Sequence, residues 1–110
     1  MVIDDDEIYR YLVRARLTEA RFTVQEAAGG AEGLLQARVL RPQAIVLDLV
    51  MPEMSGFEVL ARLKQDPLTA DIPVVVLTSK SLSSEEQGVL ASHAARIVSK
   101  QALSQPDNAN

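Results

Sequence analysis

Five short apolar runs alternate along the chain with segments whose apolar residues recur at the spacing of a helix. The later runs consist almost wholly of Val, Ile and Leu, which is typical of strands buried on both faces. Strands that alternate with helices in this way predict one doubly wound α/β domain with a five-stranded parallel sheet. The predicted strands are residues 1–3, 22–27, 44–49, 72–78 and 95–99, and the predicted helices are residues 6–20, 30–40, 56–65 and 83–94.

Residues near the helix boundaries add detail to this pattern. In the first helix Ile8, Leu12 and Ala15 share one face, which we predict to pack on the sheet. Asp6 stands where a helix N-terminus favours an acid, and Ser83 is a suitable N-cap for the fourth helix.

The end of the chain, QALSQPDNAN after Lys100, is short and polar. It has too few apolar residues for a full helix over the last strand, so we expect the fifth helix to be short or truncated. We assign residues 1–103 to the domain and residues 104–110 to a polar tail or to the cut end of a longer chain.

Composition and charge narrow the class of protein. A hydrophobic fraction of 47% and a charged fraction of 24% over 110 residues are ordinary for one globular domain. The net charge is −4 and the 11 basic residues are scattered, which argues against nucleic-acid binding by this domain. The sequence has no cysteine, no signal-peptide pattern and no apolar run near the roughly 20 residues of a membrane span. We therefore expect a cytoplasmic protein without membrane contact.

Chemically active side chains stand at the carboxyl ends of the predicted strands, where doubly wound sheets bind ligands. Asp4 and Asp5 follow the first strand, Asp48 lies at the end of the third, Thr78 ends the fourth and Lys100 follows the fifth. If the first and third strands are neighbours, carboxylates about 4 Å apart would repel by roughly 4 kcal/mol per pair at an effective dielectric near 20. A hard cation with oxygen ligands relieves this repulsion, and Mg²⁺ suits the site.

Asp48 is the unusual residue of this set, because it interrupts the apolar run AIVLDLV. A buried acid is costly unless it is partnered, so Asp48 is either a capping acid or a working group. A carboxylate beside a metal and a lysine can attack phosphorus and form an aspartyl phosphate. Asp48 stands alone at its strand end, whereas Asp4 and Asp5 form a pair suited to a metal. We therefore predict Asp48 as the nucleophile.

Four motifs in this order, VIDDDE, LDLVMPEMSGFEVL, DPLTADIPVVVLTS and IVSK, resemble the receiver domain of two-component response regulators. The resemblance extends from Val2 to about Leu103. It implies a flavodoxin-like (CheY-like) fold with strand order 2-1-3-4-5 and a switch that is phosphorylated in the presence of Mg²⁺. The implied phosphodonor is a histidine kinase or a histidine phosphotransfer domain. Such a domain catalyses only its own phosphorylation and dephosphorylation, and an output domain can follow in a longer chain.

The resemblance also implies a role for each motif residue. Asp48 corresponds to the phospho-acceptor, and Asp4 and Asp5 to the acidic pair that binds Mg²⁺ together with Asp48. The backbone carbonyl of Val50 corresponds to a further metal ligand. The remaining two positions correspond to the switch hydroxyl, Thr78, and the phosphate-binding lysine, Lys100. The helix 4 and strand 5 region is the expected output surface.

Departures from the family pattern bear on switching. Gln101 replaces the usual proline after the lysine, and Ile97 replaces the usual inward-turning aromatic residue. Val50 and Lys80 occupy positions that influence how water reaches the phosphoryl group, and an apolar Val50 is expected to lengthen its lifetime.

Three other functions fit parts of the pattern. A phosphatase of the haloacid-dehalogenase type also uses an Asp nucleophile and Mg²⁺, but it needs a second Asp where this chain has Val50. A flavodoxin-like binding module would have a Ser, Thr and Gly-rich phosphate loop after the first strand instead of DDDEIYRY. A receiver-like interaction module without phosphorylation is disfavoured by the intact set of site residues.

Overall fold

The structure, a computed structural model, describes residues 1–104, which form a five-stranded parallel sheet in the order β2-β1-β3-β4-β5. The class, the strand order and the short fifth helix were all predicted from the sequence and are confirmed. The predicted tail lies outside the described residues except for Ser104. The strands are β1 (Val2–Ile3), β2 (Glu26–Ala27), β3 (Ile45–Leu47), β4 (Val74–Thr78) and β5 (Arg96–Ser99), and the helices are α1 (Glu7–Glu19), α2 (Gly30–Leu40), α3 (Gly56–Gln65), α4 (Ser84–His93) and α5 (Lys100–Ser104).

Side-chain caps explain why three helices begin where they do. The Asp6 carboxylate accepts a hydrogen bond from the backbone N–H of Ile8 at the start of α1. At α4, Ser83 and Glu86 form a reciprocal capping box, in which each side chain accepts from the backbone N–H of the other. Ser55 caps α3 in the same way as Asp6 caps α1. Such caps satisfy backbone donors that have no partner inside the helix.

Alternate residues of the strands face two separate cores. The larger core lies under α2, α3 and α4 and includes Ile3, Leu47 and Val76, all of them fully buried. The smaller core lies under α1 and is built around Val2 and Leu77. β1 is therefore buried on both faces, whereas β3 is buried on the face of the larger core and half-buried at Val46 on the other.

The predicted packing face of α1 is wrong by about one residue. Ile8 is 67% exposed, whereas Val13 is buried and Leu17 packs beside it against the smaller core. Apolar residues lie at so many positions of α1 that two adjacent stripes fit the helical spacing. Which stripe packs inward depends on where the sheet lies, and the sequence of the helix alone does not determine that.

Gly56, the first residue of α3, lies against the backbone of the strand end. Its N–H donates to the carbonyl of Leu49 at 2.9 Å, and a Cβ at this position would overlap the carbonyl oxygen of Asp48. Its backbone conformation is one that other residues adopt, since no described glycine has a positive φ. The requirement for glycine here is therefore close approach and not a special turn.

We expect Gly56→Ala to lower the free energy of unfolding by more than about 2 kcal/mol, because the new methyl group must displace backbone atoms beside Asp48. Gly88→Ala in α4 is the matched control. No atom lies within 4 Å of a Cβ at Gly88, so this variant should gain about 0.5–1 kcal/mol from helix propensity. Urea unfolding of both variants tests the pair, and equal effects would contradict the close-approach explanation.

Candidate functional site

The loop from β1 to α1 places two acids at the carboxyl edge of the sheet. The N–H of Asp4 donates to the carbonyl of Ala27 at 3.1 Å, which continues the pairing of β1 with β2. The Asp4 carboxylate accepts from the N–H of Asp6 at 2.9 Å, and the residue is only 2% exposed. Asp5 is exposed to solvent. One acid of the pair is thus fixed and buried, and the other stays open to water.

Arg10 of α1 holds this loop from outside. Its Nη1 donates to the carbonyl oxygen of Asp4 at 2.8 Å, and its Nε donates to Glu26 Oε1 at 3.1 Å. Arg14 also contacts Glu26, with 3.4 Å between Nη1 and Oε2. Charge-assisted bonds of this kind are shorter and stronger than neutral ones, so they fix the loop relative to β2.

Asp48 follows β3 directly and lies beside the end of β1. Its N–H donates to the carbonyl of Ile3 at 3.0 Å, and its Oδ1 accepts from the N–H of Leu49 at 2.9 Å. The residue is 4% exposed. Asp48 therefore caps no helix, which removes one of the two interpretations that the sequence left open.

Lys100 joins the two buried acids. Its Nζ lies 2.9 Å from Asp4 Oδ2 and 3.4 Å from Asp48 Oδ2, and the residue itself is buried. The same ammonium lies 4.2 Å from the centre of the Tyr9 ring. Lysine is rarely buried unless its charge is paired, and here two carboxylates pair with it.

The carboxylates form a group that fits a divalent cation. Oxygens of Asp4, Asp5 and Asp48 all lie within 4.8 Å of one another, and two of these residues are buried. Buried acids need a counter-charge, and Lys100 supplies one positive charge for two buried carboxylates, with the exposed carboxylate of Asp5 beside them. Carboxylate oxygens with an open, solvated side are the ligands that Mg²⁺ prefers. The donor set therefore fits Mg²⁺.

Burial and neighbouring charges shift the pKa values of the central pair. Burial, together with repulsion from Asp4, raises the pKa of Asp48 from 3.8 to about 6, although Lys100 and the backbone N–H of Val50 oppose this. Burial alone would lower the pKa of Lys100, but the hydrogen bonds and charges of Asp4 and Asp48 raise it above its ordinary value. Lys100 therefore stays charged, whereas ionisation of Asp48 is less favourable than that of an aspartate in water.

Thr78 and Val50 complete the set of predicted residues. Thr78 is buried at the end of β4, and its Oγ1 accepts from the N–H of Lys80 at 3.1 Å. The register of β3 with β4 pairs Leu47 with Val76, so Thr78 lies at the same edge as Asp48. Val50 is 58% exposed on the loop after Asp48. The sequence therefore identified residues that lie along one edge of the sheet.

The structure shows the contacts of the two residues that depart from the family pattern around Lys100, Ile97 and Gln101. Ile97 pairs with Val76 and packs against the larger core. Gln101 donates its backbone N–H to Ser99 Oγ at 3.1 Å, a bond that a proline at this position could not make. The Ser99 side chain thus stabilises the start of α5, which carries Lys100.

The sequence pattern predicts no role for Tyr9 and Arg10 beyond membership of the first helix. Both lie in the first turns of α1, four and five residues after Asp5. Side chains in the first turn of a helix that follows a ligand-bearing strand end point back toward that end. This spacing could have identified Tyr9, whereas no local signal links Arg10 to Glu26.

Within residues 1–104, every helix is too short or too polar to cross a membrane.

The family model named "Response regulator receiver domain" matches residues 1–107. The chain is 44% identical over 79 residues to the DNA-binding dual master transcriptional regulator RpaA of Synechocystis sp., a match that covers 72% of this chain and 33% of RpaA. It is 30% identical to protein PilH of Pseudomonas aeruginosa, with 78% of this chain and 71% of PilH covered. The chain thus spans about a third of the length of RpaA.

A solved structure has the same fold as this chain. The N-terminal domain of a response regulator receiver protein from Methanoculleus marisnigri JR1 superimposes with a TM-score of 0.84 at 33% identity, covering 89% of this chain and 80% of that one. Together with the strand order and the acidic edge, these likenesses establish that the chain belongs to the response regulator receiver domain family of two-component signalling.

Proposed function

We propose that this domain is a signalling switch that accepts a phosphoryl group on Asp48. The observation that carries the proposal is the Lys100 ammonium, which lies 2.9 Å from Asp4 and 3.4 Å from Asp48 among buried carboxylates. A buried lysine between two acids is placed to meet the oxygens of a phosphoryl group at the same point. Family membership supports the same reaction.

The transfer forms one bond and breaks one. An Asp48 carboxylate oxygen attacks phosphorus, the bond between phosphorus and the donor atom breaks, and the donor keeps the electron pair. The nucleophile must be ionised, and its pKa of about 6 leaves it mostly so at neutral pH. Lys100 can bind a phosphoryl oxygen while it remains protonated.

Mg²⁺ would be held by the carboxylates of Asp4, Asp5 and Asp48 and by the backbone carbonyl of Val50. When bound, the ion neutralises charge on the transferring group and orients it for attack. The pair of acids supports this assignment because one is buried and fixed and the other is open to solvent. Retained water ligands, which Mg²⁺ favours, fit the open side.

Phosphorylation would act on the loop after β4 and on the start of α5. The new group carries about two negative charges and three acceptor oxygens, which attract the hydroxyl of Thr78 and the ammonium of Lys100. A surface depression beside Thr78 is bounded by Leu82, Gln87 of α4 and Ile97 of β5. A movement of Thr78 would therefore be transmitted to α4 and β5, the proposed output region.

The proposed phosphodonor is a histidine kinase or a histidine phosphotransfer domain. Since the chain spans a third of RpaA, an output domain in a longer chain is also part of the proposal. The domain would act on no substrate other than its own phosphoryl group. A cytoplasmic location remains a prediction from the sequence.

We expect the protein to gain the mass of one phosphoryl group when it is incubated with Mg²⁺ and acetyl phosphate. Asp48→Asn should abolish this gain. Asp71→Asn, which changes an exposed acid before the opposite end of β4, should leave it intact. Intact-protein mass spectrometry measures the three proteins side by side. No Mg²⁺-dependent modification of the unaltered protein would leave an interaction module as the better explanation.

Val50→Asn should shorten the lifetime of the phosphorylated state. An exposed valine offers no hydrogen bond to an attacking water, whereas an amide can orient one. One such hydrogen bond corresponds to about three- to tenfold in the hydrolysis rate. Val39→Asn, at an exposed valine of α2, is the matched control. The decay of the phosphorylated mass after removal of donor gives both rates, and equal decay would reject the role of Val50.

The pKa of Asp48 predicts a pH-dependent stability. In metal-free protein the folded state keeps this proton up to about pH 6, whereas the unfolded state loses it near 3.8, so the contribution of this group to stability falls as pH rises between these values. The rise in the pKa of Asp48 from 3.8 to about 6 corresponds to at most about 3 kcal/mol in the free energy of unfolding. Asp48→Asn should therefore stabilise the metal-free protein by about 1–3 kcal/mol at neutral pH and much less near pH 4.

Urea unfolding of the wild type and Asp48→Asn at several pH values measures this effect. Mg²⁺ should stabilise the wild type more than the variant, because binding to the folded state alone adds stability and the variant lacks one ligand. Asp71→Asn, at an exposed acid near the opposite end of β4, is measured alongside as the control. A stability difference for Asp48→Asn that is constant between pH 4 and neutral pH would refute the raised pKa.

A further inference from the structure

We propose that Tyr9 is a positioning residue for Lys100, and that the face of its ring fixes the ammonium between the acids of the site. The contact joins the first turn of α1 to the start of α5, with 4.2 Å between Nζ and the ring centre. The contact between Tyr9 and Lys100 can be tested without phosphorylation, whereas its effect on the phosphorylation rate rests on the proposed function. Neither the motifs nor the predicted roles of the site residues include Tyr9.

The ammonium of Lys100 has three N–H donors and no acceptor. Asp4 Oδ2 and Asp48 Oδ2 lie on two sides of it, at 2.9 and 3.4 Å. Lys100 is only 4% exposed, so little water remains to solvate the charge. The face of an aromatic ring carries partial negative charge and attracts a cation, most strongly where both are desolvated. Tyr9 therefore replaces part of the lost hydration.

The flexibility of a lysine makes a third partner useful. The side chain has four rotatable bonds, and ordering it costs conformational entropy. The ammonium lies closer to Asp4 than to Asp48, so the two acids alone do not hold it midway between them. The additional contact with the ring restricts the positions that the ammonium can take before a phosphoryl oxygen arrives. A group that is already in place reacts without the ordering cost.

Position along the chain makes Tyr9 suited to this task. Tyr9 follows Asp5 by four residues, and Nη1 of the neighbouring Arg10 donates to the carbonyl of Asp4 at 2.8 Å. The start of α1 thus holds both the acidic loop and the lysine. The same helix, α1, therefore positions both the Asp4 carboxylate and the Lys100 ammonium.

A purely structural Tyr9 would only fill space beside the sheet, and a leucine would serve nearly as well. A ring that positions the ammonium is instead replaceable by phenylalanine and not by leucine. Tyr9→Phe, Tyr9→Leu and Tyr9→Met separate the two roles. Tyr11→Leu is the matched control, since Tyr11 is the other tyrosine of α1 and is 60% exposed.

The first measurement is the ¹H–¹³C NMR spectrum of the metal-free protein, with no phosphodonor present. Protons of the Lys100 side chain that lie over the ring face are shielded, so their resonances should appear upfield in the wild type, Tyr9→Phe and Tyr11→Leu. In Tyr9→Leu and Tyr9→Met they should return toward ordinary lysine positions. Unchanged Lys100 resonances in both of the latter variants, or loss of the shift in Tyr9→Phe, would overturn the proposal.

The second measurement is the rate of phosphorylation by acetyl phosphate with Mg²⁺. Tyr9→Leu should lower this rate about fivefold, or about 1 kcal/mol. Tyr9→Phe should restore it, and Tyr11→Leu should match the wild type. If Tyr9→Phe is as slow as Tyr9→Leu, the ring face is not the active feature and the proposal fails.

The two measurements also separate this proposal from the proposed function. If the wild type is never phosphorylated, the proposed function fails, but the NMR comparison still decides whether the Tyr9 ring holds Lys100. If the wild type is phosphorylated and all Tyr9 variants react at the same rate, the proposed function stands and the positioning role is refuted.

Discussion

The site depends on one electrostatic constraint, the burial of Asp48 beside a second buried carboxylate. Two nearby negative charges in a partly dry environment repel strongly, and burial alone penalises each of them. Lys100 offsets this at 2.9 and 3.4 Å from Asp4 and Asp48, yet the pKa of Asp48 stays raised to about 6. The native backbone therefore holds these groups in an arrangement that is locally unfavourable, and a bound cation or an added phosphoryl group changes its energy.

The rest of the fold supplies the rigidity that such an arrangement needs. β1 and β3 are fully buried at their ends, so Asp4 and Asp48 emerge from fixed points. Arg10 anchors the first acid from α1, and the close approach of Gly56 allows α3 to begin directly beside the second. Among residues 1–104, no buried side-chain nitrogen or oxygen lacks a hydrogen-bond partner. The unfavourable interactions at the site are thus electrostatic, and no unpaired buried side chain in the described part of the chain adds to them.

Most of this architecture was predictable from the sequence because it depends on local patterns. Strand-length runs of Val and Ile, the caps at Asp6 and Ser83 and the acids at strand ends are all contained in short windows. The packing face of α1 was not predictable in this way, since Ile8 and Val13 compete on adjacent stripes and only the sheet selects between them. The place of Tyr9 near the acidic loop follows from local spacing, but its contact with Lys100 joins residues 91 positions apart, and no local window contains that contact.

The contacts that Lys100 already makes limit the free energy that phosphorylation could contribute through this residue. A ligand shifts an equilibrium only through the difference in its interactions with the two states. Lys100 already has two carboxylate partners, so an added phosphoryl group mainly exchanges one set of contacts for another. Among residues 1–104, the Thr78 hydroxyl accepts a hydrogen bond only from the N–H of Lys80. A new hydrogen bond from this hydroxyl to a phosphoryl oxygen would therefore add free energy without the loss of a charged contact. With aliphatic Ile97 where an aromatic residue is usual, we expect the loop after β4 to be the element that a phosphoryl group on Asp48 would displace most.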